Sequence, residues 1–250
     1  MVVHMKGVIL AGGYGTRLFP LTCVTNKHLL PVYNEPMIYN PIKTLVNSGI
    51  TDITLVLGGE SVGDFIKLLG DGTKFGAKFN YVYQQKSGGI AEALYLTESI
   101  VKGHKIAVIL GDNIFESTFK NEISHFINYS FNECYLFLKK VKDPERFGVV
   151  ELRGFKIIAI DEKPEFPLSN LVVTGLYLYD EKIFDIIKQV IYEKGYSKRG
   201  ELEITDVNNI YINRGKTTYA KVKGFWSDAG TFDTLLKSSN FKKLNSKREK

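Results

Sequence analysis

Only two of the 250 residues are cysteine, Cys23 and Cys134. They lie far apart and match no metal-ligand spacing, so a disulfide framework and a zinc site are both excluded, and unpaired thiols suit a reducing cytoplasm. No uninterrupted apolar run approaches the ~18 residues of a membrane helix, so no span is expected. The basic, apolar and cleavage regions of a secretory leader do not occur in that order, and Met5 is expected to be the natural start. Two familiar phosphate motifs are missing as well. No Lys-Ser or Lys-Thr follows the early glycines at P-loop spacing. The dinucleotide fingerprint also fails, because Gly13 and Gly15 fit but the third position is Leu18.

A broadly distributed positive charge is also lacking. The formal net charge is +6, yet residues 237–250 carry six basic side chains (Lys237, Lys242, Lys243, Lys247, Arg248, Lys250) and one acid, Glu249. That stretch reads as a solvated, frayed end, and the rest of the chain is nearly neutral. Nucleic acid is therefore not an expected partner.

What is present is enough apolar sequence, 44%, to bury a substantial core. Strand and helix patterns alternate through the first half, as in an α/β sheet covered on both faces. Strands are expected at Val8–Leu10, Ile53–Leu57, Phe79–Tyr83, Ile106–Leu110 and Cys134–Leu138. Helices are expected over Met37–Val46 with Pro36 at the start, after Ser61 with Asp64 in a capping box, over Ile90–Val101, and over Phe119–Ile127. The second half reads as a hairpin about Arg153-Gly154, a strand Val172–Tyr179, a helix from Ile183, a helix capped by Thr205 and ending at Gly215, and a strand Lys216–Val222.

The stretch that organises the chain is VILAGGYGTRLFPLTCVTNKHLLP, residues 8–31. A buried strand ends at Leu10-Ala11, and Gly12, Gly13 and Gly15 then let backbone N–H groups approach a phosphate with no Cβ in the way. Thr16 and Arg17 follow, and Lys27 comes ten residues later; a cradle with two cations suits a triphosphate. Taken alone, GGxG reads first as a mobile strand-to-helix turn with solvated side chains. Thr16, Arg17, Lys27 and Pro31 shift that reading. Two acidic turns follow strands: Gly111-Asp112-Asn113 and Ser227-Asp228-Ala229-Gly230. Each aspartate alone reads as a turn or cap residue. Two delivered to one crevice beyond the strand ends would suit Mg²⁺.

These residues carry a resemblance. GGYGTRLFPLT and NKHLLPVYNEPMI, continued by LGDNIF, DPERFGVVE, DEKP, VTGLYLYD, RGELEITDVNNIY and WSDAGT, resemble the sugar-1-phosphate nucleotidyltransferases over roughly residues 5–240. The likeness is nearest to their short-type branch, which joins dTTP to glucose 1-phosphate. The resemblance implies a Rossmann-like mixed sheet sandwiched by helices, with a smaller β-rich sugar-binding portion. The expected layout is a single domain over 5–241, its nucleotide part roughly 5–140 and its sugar part roughly 141–225, with a basic tail over 242–250. It further implies a cytoplasmic homo-oligomer, dimeric or tetrameric.

By the same resemblance, Asp112 and Asp228 bind Mg²⁺, with Asp112 also in the nucleotide site. Gln84 and Gly89 contact the base, and Leu10, Ala11, Gly12, Gly13, Gly15 and Thr16 hold the nucleotide. Gly148, Glu162, Val173, Tyr177, Glu201 and Trp226 line the sugar pocket, while Lys163 and Arg199 hold its phosphate. His28 departs from the pattern, since many relatives carry glutamine there. The expected reaction is attack of the sugar phosphate on the α-phosphorus, with Arg17 and Lys27 neutralising the triphosphate and no protein nucleophile. The alternatives are a uridylyltransferase or another sugar-1-phosphate nucleotidyltransferase, and, in a different class, a non-catalytic domain that binds nucleotide sugar. A dehydrogenase is weakened by Leu18.

Overall fold

In the computed structural model, which describes residues 5–128 and 133–246, the apolar run at the head of the chain forms β1 (Lys6–Ala11), buried from Gly7 onward. Short 3-10 turns lead to a small hairpin, β2 (Pro31–Val32) against β3 (Glu35–Pro36). Pro36 therefore does not open the next helix as expected. It pairs with Pro31, a short pairing that tolerates a missing N–H. The helix α1 (Tyr39–Asn47) begins later, with Pro41 in its first turn, where the ring does no harm.

Next come β4 (Asp52–Gly58), α2 (Val62–Leu69) and β5 (Lys78–Gln84). The capping box expected at Ser61 does not form. Ser61 Oγ instead accepts the backbone N–H of Asn26 at 3.1 Å, so a tertiary bond displaces the local cap. The helix expected over 90–101 is broken into α3 (Ile90–Tyr95) and α4 (Glu98–Val101). Thr97 Oγ1 donates to the Leu94 carbonyl at 2.7 Å, a local bond that competes with a continuous helix.

The chain continues through β6 (Ile106–Leu110), β7 (Asn113–Phe115), α5 (Lys120–Asn128) and β8 (Cys134–Lys140). The strands β9 (Gly148–Arg153) and β10 (Lys156–Glu162) form the hairpin, and β11 (Leu171–Tyr179) follows. Then come α6 (Ile183–Glu193), α7 (Ile204–Asn213), β12 (Thr217–Lys221), β13 (Trp226–Asp228) and α8 (Phe232–Ser246). Thr205 lies inside α7 rather than capping it, and Glu203 holds the N-cap position. Residues 237–246 do not fray but continue α8. Lys242 pairs with Glu35 at 2.6 Å and Phe241 stacks on Phe225, contacts that hold the helix down. The leader Met1–His4 and the last four residues, Lys247–Lys250, lie outside the described residues.

Two units partition the described residues: 7–87, 109–120 and 223–246 form one, and 5–6, 88–108, 121–128 and 133–222 the other. In the first, β1 runs parallel to β4 and β4 parallel to β5. The N–H of Gly111, just past β6, bonds the Leu10 carbonyl, and β13 pairs antiparallel with β7 so that Asp228 faces Asn113. In the second, β11 runs antiparallel to β8, β12 parallel to β8, and β9 antiparallel to β10. All nine residues of β11 are buried, so truncating its fully buried Leu176 or Leu178 to alanine costs ~2–5 kcal/mol. Both units are α/β, the parallel strands of one and the mixed strands of the other matching the expected class. Among the described residues no helix is long and apolar enough to cross a membrane.

Candidate active site

The glycine turn closes β1 in the first unit, and each glycine there answers to a different neighbour. A β-carbon on Gly12 would collide with the Gln84 side chain, which is buried beneath the turn. Gly15 has φ 67°, and a β-carbon there would sit 2.7 Å from Lys27 Cβ. Only glycine satisfies both conditions. Gly13 is roomier, with Lys27 Cε 3.8 Å and Nζ 4.0 Å from the equivalent point. The lysine thus runs along the underside of the turn, and Thr22 Oγ1 ties the Gly15 carbonyl from outside at 3.1 Å. Leu10 and Ala11 are buried at the strand end, while Thr16 and Arg17 are exposed beyond it.

Lys27 is aimed by the residue before it. Asn26 caps a single 3-10 turn, its Oδ1 accepting the His28 N–H at 3.0 Å and facing His28 Nδ1 at 2.7 Å. The lysine ammonium reaches Asp112 Oδ2 at 2.6 Å. Asp112 Oδ1 accepts from Asn113 Nδ2 at 3.0 Å, and Asn113 Oδ1 accepts from Trp226 Nε1 at 2.7 Å. Burial alone would raise the Asp112 carboxyl, but the Lys27 ammonium and the Asn113 bond outweigh it and hold the group well below the usual carboxylate range.

His28 is 2% exposed. Burial, then the Lys27 charge, lowers its pKa from 6.5 to about 3, so it is neutral at physiological pH. A β-carbon on Gly111 would lie 2.6 Å from His28 Cδ2. The ring is therefore a neutral spacer packed against the turn that carries Asp112.

The second aspartate joins this group. The place of a β-carbon on Gly230 lies 3.5 Å from Asp112 Oδ2, 3.5 Å from Asp228 Oδ2 and 3.2 Å from Arg17 Nη2. Two carboxylates and a guanidinium thus face one glycine. The donor set suits a hard divalent cation that takes one or two carboxylates and completes its shell with phosphate oxygens. No group of three or more His, Cys, Asp or Glu side chains placed to hold a metal occurs among the described residues.

The second unit carries the remaining predicted residues except Trp226, which is buried beside Asn113 and Phe115 in the first. Gly89 has φ 100°, and a β-carbon there would meet the Leu202 carbonyl at 2.6 Å. The Gly88 carbonyl accepts from Leu202 N at 2.7 Å. At the end of β10, Glu162 Oε2 accepts from Thr205 Oγ1 at 2.5 Å, and a β-carbon on Gly148 would lie 3.0 Å from Ile160 Cγ2, 3.4 Å from Thr205 Oγ1 and 3.5 Å from Glu162 Oε2. Lys163 has φ 48°, a left-handed backbone that a side chain disfavours. Its N–H is held by the Phe147 carbonyl at 3.0 Å and its ammonium lies 3.6 Å from Glu162 Oε1. Val173 and Tyr177 are buried on β11, flanking a break in its register with β8. Arg199 is engaged by Glu203, Glu162 and Glu201.

From the sequence, Asn113 and Gly230 are named only as members of the acidic turns, and no site role is assigned to Asn26, Ser197 or Glu203. Asn26 stands where a cap for the Lys27 turn belongs, and Asn113 follows directly on Asp112. Gly230 and Glu203 lie within the quoted stretches WSDAGT and RGELEITDVNNIY without a local signal for their partners, and nothing marks Ser197 off from a surface residue.

A profile of the nucleotidyl transferase family matches residues 6–244. A glucose-1-phosphate thymidylyltransferase of Neisseria meningitidis serogroup A is 40% identical over 240 residues, covering 95% of this chain and 82% of that protein. A Bacillus anthracis structure, described as a candidate glucose-1-phosphate thymidylyltransferase in complex with a sucrose, superposes with a TM-score of 0.89 at 49% identity, over 95% of this chain and 94% of that one. A UDP-glucose pyrophosphorylase complexed with UDP-glucose superposes at 0.83 with 25% identity, over 97% and 99% of the two chains. With the profile spanning almost the whole sequence and the glycine turn, cations and acids in place, this chain belongs to the nucleotidyl transferase family.

Proposed function

We propose that this chain transfers the thymidylyl group of dTTP to glucose 1-phosphate, forming dTDP-glucose and pyrophosphate. The observation that carries the reading is the meeting of Arg17, Asp112 and Asp228 at Gly230, with Lys27 joined to Asp112. The names of the relatives support the choice of base and sugar.

A phosphate oxygen of the sugar attacks the α-phosphorus in line. One P–O bond forms there as the bond to the bridging oxygen breaks, and pyrophosphate leaves with the electron pair. The attacking oxygen is already anionic, so no protein nucleophile is required, and the protein supplies orientation and charge. Gly12, Gly13, Gly15 and Thr16 receive the triphosphate on backbone N–H groups, Arg17 takes its terminal phosphates, and Gln84 and Gly89 address the base. Lys27 exchanges Asp112 for an α-phosphate oxygen. Asp112 and Asp228 would hold Mg²⁺, which when bound neutralises and orients the triphosphate. Lys163 and Arg199 carry the sugar's phosphate, and Gly148, Glu162, Val173, Tyr177, Glu201 and Trp226 select the sugar.

Two free thiols, exposed Cys23 and buried Cys134, support a reducing cytoplasm as the site of action. Assembly as a dimer or tetramer rests on the family resemblance, and light scattering on the purified protein checks it.

The function is tested by pyrophosphate release over a grid of nucleoside triphosphates and sugar 1-phosphates, with Mg²⁺ or with chelator. Fastest release from dTTP with glucose 1-phosphate, abolished by chelator, is expected. A preference of about tenfold or more for UTP, within reach of one methyl group's worth of discrimination, would assign a uridylyltransferase instead. Tight binding of dTDP-glucose with no release from any pair would assign a non-catalytic binding domain.

A further inference from the structure

Glu203 occupies the N-cap position of α7, where a carboxylate ordinarily bonds the helix's free N–H groups. Its side chain makes no such bond. It turns instead to Arg199, whose Nη2 donates to Oε1 at 2.9 Å and to Oε2 at 2.8 Å, with Nε 3.3 Å from Oε1. Ser197 Oγ also donates to Oε1 at 2.6 Å and accepts the Arg199 N–H at 3.3 Å. The intervening turn is closed on itself by Ser197 N to the Glu201 carbonyl at 2.9 Å and Gly200 N to the Ser197 carbonyl at 2.8 Å. Glu203 is the more buried partner, 12% exposed in its side chain against 37% for the arginine. The fixed member is thus the carboxylate at the helix start, and the guanidinium hangs from it.

From this we infer that Glu203 is a positioning residue for the sugar-phosphate step, acting through Arg199; the inference rests on the reading of Arg199 as a phosphate ligand. The same guanidinium already lies 3.3 Å from Glu162 Oε1. Glu201 Oε2 lies 3.2 Å from Arg199 Nη2, so without Glu203 the guanidinium is left to Glu201 and to Glu162, whose other oxygen is taken by Thr205. Two losses follow together. The phosphate loses a preplaced cation, and Glu162 Oε1, 3.3 Å from Arg199 and 3.6 Å from the Lys163 ammonium, is held more tightly by the guanidinium and offers less to a sugar hydroxyl.

Initial rates of pyrophosphate release are measured for wild type, Glu203→Ala, Glu203→Gln, Arg199→Ala and the Arg199→Ala/Glu203→Ala pair. Glu203→Ala is expected to raise KM for glucose 1-phosphate by on the order of 10–100-fold, as loss of preorganisation of a binding group does, with KM for dTTP unchanged. Glu203→Gln, whose amide oxygen still accepts from Ser197 and Arg199, recovers part of the loss. In the Arg199→Ala background the second substitution adds nothing, because residues that act as one unit are non-additive. A Glu203→Ala KM equal to wild type overturns the inference, and so does an undiminished effect when Arg199 is already absent. If wild type releases no pyrophosphate from this pair, or Arg199→Ala binds glucose 1-phosphate normally, the underlying functional reading fails instead.

Discussion

The Lys27 ammonium lies 2.6 Å from Asp112 Oδ2, with both side chains largely withdrawn from water, 14% and 9% exposed. In this pair the cation proposed for a phosphate and the carboxylate proposed for Mg²⁺ neutralise each other. Removing one partner of such a pair leaves a buried charge unmatched, at a cost of ~3–5 kcal/mol. Lys27→Ala is therefore expected to lower the urea midpoint markedly, and Lys27→Ala/Asp112→Asn to recover most of the loss. Equal midpoints for the single variant and wild type would show that the pair does not hold the turn.

The glycines of the turn should separate folding from binding. Gly15→Ala meets a left-handed backbone, worth at least ~1 kcal/mol, together with a contact on Lys27. Its melting temperature is expected to fall. Gly13→Ala meets only ordinary contacts and should melt like wild type while losing dTTP affinity, because the new methyl stands where a phosphate must approach. Differential scanning fluorimetry with and without dTTP reads both effects.

Acid sensitivity has a sign fixed by His28. Its folded pKa is lowered from 6.5 to about 3, so between those values the unfolded chain binds the extra proton and stability falls as pH falls. On the order of 3 kcal/mol is expected to be lost between pH 6.5 and 4. Asp112, also depressed, contributes its own loss only at lower pH, below its ordinary unfolded value. Urea titrations of His28→Gln should be flatter than wild type over the upper window. Parallel curves for the two proteins would refute the assignment.

Lys163 combines a strained backbone with a proposed phosphate contact. Lys163→Gly relieves a left-handed cost of ~1–2 kcal/mol against a comparable loss of unfolded-chain restriction. Stability should change little while turnover falls sharply. A matched drop in both would mark the residue as structural.

The sequence displayed the glycine turn, Arg17, Lys27, Asp112 and Asp228 because strand ends and turn residues punctuate the chain at those points. Their meeting at Gly230 depends on β13 pairing with β7, two short strands more than a hundred residues apart, and no periodicity in three residues reveals that. Pro36 departs from its expected place because a hairpin pairing outcompetes the local helix-start signal, whereas Ser61 does stand at the start of α2 and only its capping bond is lost, to Asn26. Thr205 looked like a cap because caps are judged from neighbours in sequence. Its hydroxyl is taken by Glu162, forty-three residues earlier. The tail looked solvated from its charge, yet a few apolar and ionic contacts of α8 suffice to hold its first part.

The most direct measurement follows dTTP radiolabelled at its α-phosphorus through one turnover with glucose 1-phosphate and Mg²⁺, in wild type and Lys27→Ala. Wild type should move the label into dTDP-glucose, and Lys27→Ala should do so about 10²–10³-fold more slowly, the scale of losing one charge-stabilising donor. Label that stays in dTTP or appears as dTMP in wild type, or a Lys27→Ala rate equal to wild type, would contradict the account.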